Sequence, residues 1–547
     1  MAAVSDAAET RNRRLARSTL VVMLAFGLAK AISLVQVKII ADTFGVGRDW
    51  DTYVAADSVS GLIFTLISGG ALAHAFIPIF SSFLAREDRD GAWKIASHVT
   101  NSIFLATLLV SLIVFIFAMP LAGVIAPGFD MAAREQTANL LRVLLLSTLI
   151  FSVSGIVMGV LQSYNHFLTP ALAPVLLDVG ILIGVLFFIA PMGVYGIAWG
   201  TVLGALMHLG IQVPALLRYH PRWLAQLGWR DPVLWHVFRL MLPRIAGLGL
   251  FLYNFQLAIN IASRMNEGAV SAFSWGWRLM QIPETLIGTA IGTVVFPTLA
   301  ALSELNDEKG KRDAMSGALR FILVTTIPAS VGLILVGRPL ISLLEGGAFD
   351  PSATALVYST LSYFTLGLIV HSLLEVASRS FYADKNTLVP LWTALGGAVI
   401  NVVFSLALTG MPLTEFLSPA PTVVLDSARV GYLALANSLG TAFQVGVLLW
   451  LLGRRWHGIN ESMLARTTLK TAAASLIMGL AVGLVDAAWN ALGLGGRGTL
   501  MTAVQAGVLM LTGAGVFVGA ALALKMDEVR MLLNLFVRRK KAVEVVA

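Results

Sequence analysis

Two charged side chains lie in stretches of the chain that otherwise hold almost only apolar residues. Lys30 lies within VVMLAFGLAKAISLVQV and Arg278 within SWGWRLMQIPE. A charge at the centre of a bilayer costs about 2.5 kcal/mol or more, so each should face a partner or a water-filled cavity. Arg278 therefore either pairs with an acid such as Glu284 or Asp57, or it faces an anionic substrate.

The composition places these charges in a membrane. Of the 547 residues, 57% are hydrophobic and only 12% are charged, and the mean hydropathy is +0.82. Soluble domains carry about a quarter charged residues, whereas a bilayer-spanning helix needs roughly 20 apolar ones. We predict an all-α polytopic membrane protein with about fourteen transmembrane helices. The first apolar segment has no small-residue cleavage site and is expected to be a retained helix rather than a signal peptide.

The distribution of charge predicts the orientation in the membrane. The predicted segments are 18–42, 52–85, 95–122, 136–164, 168–190, 193–217, 234–263, 268–302, 314–343, 353–383, 387–410, 427–453, 467–493 and 499–524. Lys and Arg concentrate in the two termini and in alternate loops. The opposite loops hold only Arg48, Arg134, Arg264, Arg338 and Arg497. Positive charge follows the cytoplasmic side, so both termini are expected inside, and the net charge of +8 requires no nucleic acid.

The chain also aligns with itself. GLIFTLISGGALAHAFIPIF matches MQIPETLIGTAIGTVVFPTL, with Pro78 on Pro297, and further on Asp130 meets Asp350 at nearly the same offset. An even number of helices in each repeat gives parallel repeats, and such transporters bind substrate between their halves. The predicted division is a basic cytoplasmic tail (1–17), an N-lobe (18–217), a cytoplasmic linker (218–233), a C-lobe (234–453), an appended helix pair (454–524) and a basic amphipathic tail (525–547).

The remaining polar residues give little sign of catalysis or metal binding. Acids such as Asp178 could carry protons or neutralise basic residues, and the histidines are scattered without metal-ligand spacing. The chain has no cysteine, which removes thiol catalysis and cysteine-bound metal. Enzymes that act on lipid-linked sugars usually place acids or catalytic bases on long extracellular loops. The only acids of the longest predicted outer loop (411–426) are Glu415 and Asp426, so we do not expect an enzyme, and we expect no cofactor.

Several stretches in the first twelve helices carry a family resemblance. They are FGVGRDWDTYVAA, GGALAHAFIPIF, IAPGFD, LQSYNHFLTPALAPVLLD, WRLMQIPETLIGTAIGTVVFPTL, LLEGGAFD and RSFYADKNTLVP. Through them the chain resembles the MurJ (MviN) family of the multidrug/oligosaccharidyl-lipid/polysaccharide exporter superfamily. The resemblance implies a lipid II flippase of the bacterial inner membrane. Such a protein moves an undecaprenyl-diphosphate-linked peptidoglycan precursor between leaflets by alternating access.

The resemblance also implies a set of site residues. A diphosphate headgroup needs cationic contacts, and the cavity arginines of the family fall here on Lys30, Gln36, Phe64 and Arg278. The substrate-binding candidates are Lys30, Arg278, Lys38, Gln36, Asp57 and Phe64. The family's cation site maps to Asn260, Ser405 and Asn401. Coupling or structural candidates are Asp51, Asp178, Asn260, Glu284 and Asn401.

The sequence leaves the coupling ion and the exact cargo open. Transport could be coupled to Na⁺, to H⁺ or to the membrane potential, and the partners expected are a polyprenyl-diphosphate-linked glycan and membrane lipids, with a monomeric protein. Because only Arg278 keeps the family arginine unchanged, another polyprenyl-linked glycan is an alternative substrate. A multidrug exporter of the same superfamily and a scaffold without transport are two further candidate functions.

Overall fold

The structure of the chain is a computed structural model. It describes residues 32–67, 70–164, 166–419, 421–494 and 498–531. Regular structure in these ranges is helical, apart from two isolated β-bridges.

The helices follow the predicted order. Those up to residue 263 are residues 32–44 (the described part of α1), Arg48–Ile67 (α2), Gly70–Ala85 (α3), Arg89–Ile116 (α4), Ala118–Ile125 (α5), Met131–Ser163 (α6), Leu168–Met192 (α7), Tyr195–Leu217 (α8) and Pro232–Ala262 (α9). Those that follow are Ala269–Glu304 (α10), Glu308–Ser342 (α11), Pro351–Ala383 (α12), Leu388–Thr409 (α13), Leu413–Leu417 (α14), Ser427–Arg455 (α15), Glu461–Ala491 (α16) and Thr499–Ala523 (α17).

Eleven of the described helices are long and apolar enough to cross a membrane. This confirms the predicted all-α polytopic fold. Three further predicted segments correspond to α1, to α2 with α3, and to α9. The predicted segment 52–85 is divided at residues 68–69, which lie outside the described residues.

Aspartates begin several helices, and the two repeats use them alike. The Asp130 carboxylate accepts a 2.7 Å hydrogen bond from the Ala133 N–H at the start of α6. The Asp350 carboxylate accepts one of the same length from the Ala353 N–H at the start of α12. An aspartate at this position satisfies an N–H that the helix leaves unpaired. The duplicated sequence therefore places the same cap at the start of equivalent helices.

The described residues divide into two compact units, one ending at Ser263 and one beginning at Arg264. Helix α9, which the repeat assigns to the C-lobe, lies with the first unit. Within that unit α7 packs on α8 through glycines, and a Cβ added to Gly180 would lie 2.2 Å from the Gly204 Cα. Small residues allow such close backbone approach between membrane helices.

The chain after α17 packs back onto the second unit. Residues 527–531 are helical, and Met526 and Val529 are buried beside Val324. Glu528 pairs with Arg320 of α11 at 3.0 Å. Most of the predicted basic amphipathic tail lies beyond residue 531, outside the described residues.

Candidate functional site

Arg278 lies on a helix face that packing leaves exposed. Phe273, Gly276 and Met280 of α10 are buried within the second unit, whereas Arg278 is exposed. At about 3.6 residues per turn, side chains two residues apart point to nearly opposite sides of a helix. Arg278 therefore projects away from Met280. The buried face of α10 therefore determines the direction of the arginine.

Aromatic contacts hold Trp277, the residue before Arg278, in place. The Trp277 ring lies edge-on to Phe364 and to His371 of α12, with 5.4 Å between centroids in each case. His371 is held in turn by a 3.0 Å contact between its Nε2 and the Asn437 Oδ1 of α15. Two helices of the second unit, α12 directly and α15 through His371, thus support the turn of α10 that carries Arg278.

Helix α10 contains a π-helical turn over Thr285–Thr289, directly after Glu284. Turns of this kind are rare and often occur at functional sites. The half-buried Glu284 carboxylate accepts a 3.4 Å hydrogen bond from the Thr289 hydroxyl. Glu375 and Arg379 of α12 are the charged neighbours that act on it, and they pair with each other at 2.8 Å. The coupling candidate Glu284 thus lies beside a second carboxylate and one arginine.

In the first unit, two of the candidates contact each other. Gln36 is buried, and its amide donates to the main-chain oxygen of Asp178, which joins α1 to α7. Lys38 pairs with Asp42 one turn further along α1, at 2.7 Å between Nζ and Oδ1. Lys30 lies outside the described residues.

The α2 candidates face the interior of the first unit to different degrees. Asp51 is buried in the first turn of the helix, whereas Asp57 is half-buried. The half-buried Phe64 packs on Phe151 of α6, with 5.1 Å between ring centroids. Asp51, Asp57 and Phe64 are thus spaced along the length of α2.

The two amide candidates make contacts within their own units. Asn260 donates a 2.8 Å hydrogen bond to the main-chain oxygen of Val124, at the end of α5. Asn401 is buried in α13, where its Oδ1 accepts a 3.2 Å hydrogen bond from the Ser405 hydroxyl. Within the described ranges, no group of three or more His, Cys, Asp or Glu side chains is arranged to hold a metal ion.

The sequence interpretation missed a polar cluster at the end of α12. The Asp384 carboxylate, 3% exposed, pairs with Lys311 at 3.0 Å and with Arg455 at 2.8 Å. Ser303 also donates to it at 2.5 Å. Four helix ends of the second unit meet there. The RSFYADKNTLVP stretch contains the aspartate, but nothing in the sequence signals that it is buried.

Comparison with known proteins extends these observations. A family model described as lipid II flippase MurJ matches residues 40–500. The lipid II flippase MurJ of Burkholderia cenocepacia is 26% identical over 448 residues, which cover 79% of this chain and 82% of that protein. A probable lipid II flippase MurJ of Rhizobium tropici is 29% identical over 525 residues, covering 92% and 93%.

Solved structures share the fold. A lipid II flippase MurJ in an inward closed conformation matches with a TM-score of 0.74 at 22% identity, over 93% of this chain and 99% of that one. An inward-facing multidrug resistance transporter of the MATE family matches with a TM-score of 0.64 at 15% identity, over 80% of this chain and 99% of that one. At these identities the likeness concerns the fold alone.

Proposed function

The chain belongs to the family of the lipid II flippase MurJ, and from this premise we propose that it carries lipid II from the inner to the outer leaflet of the bacterial cytoplasmic membrane by alternating access. Lipid II is an undecaprenyl-diphosphate-linked peptidoglycan precursor. Its headgroup is anionic and polar, while its prenyl tail can remain in the hydrocarbon. A carrier for it needs cationic contacts for the diphosphate and need not form or break any bond.

The exposed position of Arg278 on α10 is the observation that carries the proposal. Arg278 projects from a helix of the membrane-spanning region whose other face is packed on α12. A guanidinium presents several N–H donors in a planar fork that matches phosphate oxygens, and it stays charged at every working pH. We assign Arg278 as a direct contact of the diphosphate, and Lys30 as a second cation.

The remaining candidates have weaker support from their contacts. Lys38, Asp57 and Phe64 remain proposed substrate contacts. The Gln36 amide donates to the main-chain oxygen of Asp178, so Gln36 would contribute by positioning α1 against α7. Among the coupling candidates, Glu284 has the more suitable surroundings, since a second carboxylate and Arg379 share its site at the π turn. Na⁺, H⁺ and the membrane potential are each compatible with this arrangement.

We also propose that both termini are cytoplasmic and that the protein acts as a monomer without nucleic acid. The excess of Lys and Arg in the termini and alternate loops supports this orientation. The orientation can be tested by introducing a single cysteine into either tail of the protein and adding a membrane-impermeant thiol reagent to intact cells. Labelling of either tail from outside would contradict it.

Rescue of cells depleted of their lipid II flippase tests the function. We expect the wild-type chain to rescue growth and Arg278→Ala to fail at an equal membrane level. Arg338→Ala, which removes an exposed arginine of α11 in the same unit, is the matched control and should rescue. Full rescue by Arg278→Ala would remove this residue from the site.

A second candidate substrate is another polyprenyl-diphosphate-linked glycan. The specific observation is that Gln36 and Phe64 stand where the resemblance places arginines, which lowers the cationic charge available to the headgroup. Failure of the well-expressed wild-type chain to rescue flippase-depleted cells would favour this candidate over lipid II.

A further inference from the structure

The segment between α8 and α9, residues 218–231, lies along α4 without forming a helix. We call it the linker strap. The Ser97 hydroxyl donates to the Arg222 carbonyl at 3.3 Å and accepts from the Leu224 N–H at 3.1 Å. The Asn101 amide donates to the Leu224 and Gln226 carbonyls at 2.7 and 2.8 Å. These side chains replace the hydrogen bonds that a helix would have supplied to the strap.

The end of the strap is fixed by further contacts. The Ser102 hydroxyl donates to the Leu227 carbonyl at 2.8 Å, and His98 lies 3.0 Å from the Asp231 carboxylate. The backbone of Gly228 has φ +67°, and a Cβ there would lie 2.2 Å from the His98 ring. Only glycine fits this position, because the conformation is left-handed and the ring leaves no room. The strap is thus a fixed element of the first unit.

With its backbone turned toward α4, the strap directs large side chains outward. Trp223 and Trp229 are 59% and 61% exposed, and Trp235 at the start of α9 is 56% exposed. The Trp235 indole N–H donates to the Trp229 carbonyl at 2.8 Å, so these two residues are adjacent. Three arginines of the same segment are also exposed: Arg218, Arg222, which directly precedes Trp223, and Arg230, which directly follows Trp229.

Exposed tryptophans interleaved with arginines fit one environment well. Indole rings concentrate at the boundary between lipid and water, where the ring contacts chains and the N–H stays solvated. Arginines at the same depth attract the negative surface of the inner leaflet. Asp90 pairs with Arg222, but both side chains are more than 70% exposed, so the pair is weak and a lipid phosphate can compete with Asp90 for the arginine.

We propose that the linker strap is a binding surface for anionic phospholipid headgroups of the inner leaflet, with Trp223 and Trp229 inserted at the interface and Arg218, Arg222 and Arg230 contacting the phosphates. The strap belongs to the first unit and Arg278 to the second, and the proposal does not depend on the identity of the transported lipid. Its placement at the inner leaflet rests on the cytoplasmic orientation of the termini proposed above.

Fluorescence quenching in nanodiscs tests the proposal on the full chain. The discs contain phosphatidylcholine and phosphatidylglycerol in equal amounts, and bromine is placed on the acyl chains of one lipid or of the other. We expect brominated phosphatidylglycerol to quench the protein's tryptophan fluorescence more than brominated phosphatidylcholine does. The excess should disappear in Trp223→Phe/Trp229→Phe, and also in Arg218→Gln/Arg222→Gln/Arg230→Gln.

Trp199→Phe is the matched control, because Trp199 is an exposed tryptophan of α8 in the same unit that lies outside the strap. It should keep the excess quenching. Equal quenching of the wild-type chain by the two brominated lipids would overturn the proposal, since the rings would then have no preference for the anionic headgroup. An excess that survives either multiple substitution would overturn it too, because the anionic lipid would then gather elsewhere.

Discussion

The indole ring of Trp277 meets the imidazole of His371 edge to face, with 5.4 Å between centroids and 78° between planes. Trp277 directly precedes Arg278, and His371 belongs to α12. Phe364, about two turns earlier on the same face of α12, contacts the same indole, so the ring has two aromatic contacts with that helix. We therefore expect the direction of the proposed diphosphate contact to depend on this aromatic cluster.

Trp277→Ala should therefore reduce flipping although the arginine is intact. Loss of two aromatic contacts worth about 1 kcal/mol each should also lower stability by about 2 kcal/mol. Rescue of flippase-depleted cells, normalised to membrane protein level, measures the first effect, and thermal unfolding in detergent measures the second. Trp277→Phe keeps a ring at this position and should retain most activity. Normal rescue by the alanine variant would show that the cluster does not position Arg278.

The buried cluster around Asp384 should make the second unit sensitive to acid. Burial disfavours the charged carboxylate, but hydrogen bonds from Ser303 and Lys311 and the charge of Arg455 outweigh it, so the pKa of Asp384 lies below its ordinary value of 3.8. A lowered pKa means that the folded state favours the ionised form. Its contribution to stability is then complete above about pH 4, the ordinary range of an aspartate, and is lost as the pH falls through the lower folded-state value.

Asp384→Asn tests this directly. Removing one partner of a buried pair leaves Lys311, 6% exposed, without its carboxylate, at a cost of about 3–5 kcal/mol. Thermal unfolding at pH 7 should show the loss, and the difference from wild type should shrink in strong acid. Asp313→Asn, at a largely exposed position of α11, is the control and should change little. Equal unfolding temperatures for Asp384→Asn and wild type would contradict the prediction.

The close approach of α7 and α8 gives a stability prediction with a control on the same helix pair. Gly180→Ala would place a methyl 2.2 Å from the backbone of Gly204, and backbone cannot move aside as a flexible side chain can. Overpacking of this kind costs typically about 1–3 kcal/mol. Gly210→Ala, also on α8, meets nothing within 4 Å and should be neutral. Thermal unfolding of both variants in the same detergent measures the difference, with a lower unfolding temperature expected for Gly180→Ala only. An unchanged unfolding temperature for Gly180→Ala would exclude the close contact.

The helices could be predicted from the sequence because the bilayer requires long apolar segments, and the duplication is visible in matched prolines and aspartates. The position of Arg278 on an exposed helix face also follows from periodicity, since Phe273, Gly276 and Met280 share the opposite side. The contacts of Gln36 and Asp384 could not be predicted. These contacts depend on which helices pack against each other and on where each helix ends relative to its neighbours. Neither can be predicted from the sequence of one helix.

Arg264 gives a prediction about the loop 411–426, which the charge distribution predicts to be the longest outer loop. Its guanidinium is buried, and it donates to the carbonyls of Glu415, Phe416 and Ser418 at the end of α14. Its own carbonyl accepts a 3.0 Å hydrogen bond from the Leu425 N–H. One side chain and its backbone thus fold the loop into a compact clasp.

Arg264→Met should open this clasp, because methionine fills similar space but offers no donor to the three carbonyls. We expect a Glu-specific protease to cleave after Glu415 in Arg264→Met several times faster than in wild type, with gel analysis of the two fragments as the measurement. Arg338→Met removes an exposed arginine of the same unit and should leave the cleavage rate unchanged. If Arg264→Met resists the protease as wild type does, the loop is held by its own contacts, such as those between Glu415 and Thr422, rather than by the arginine.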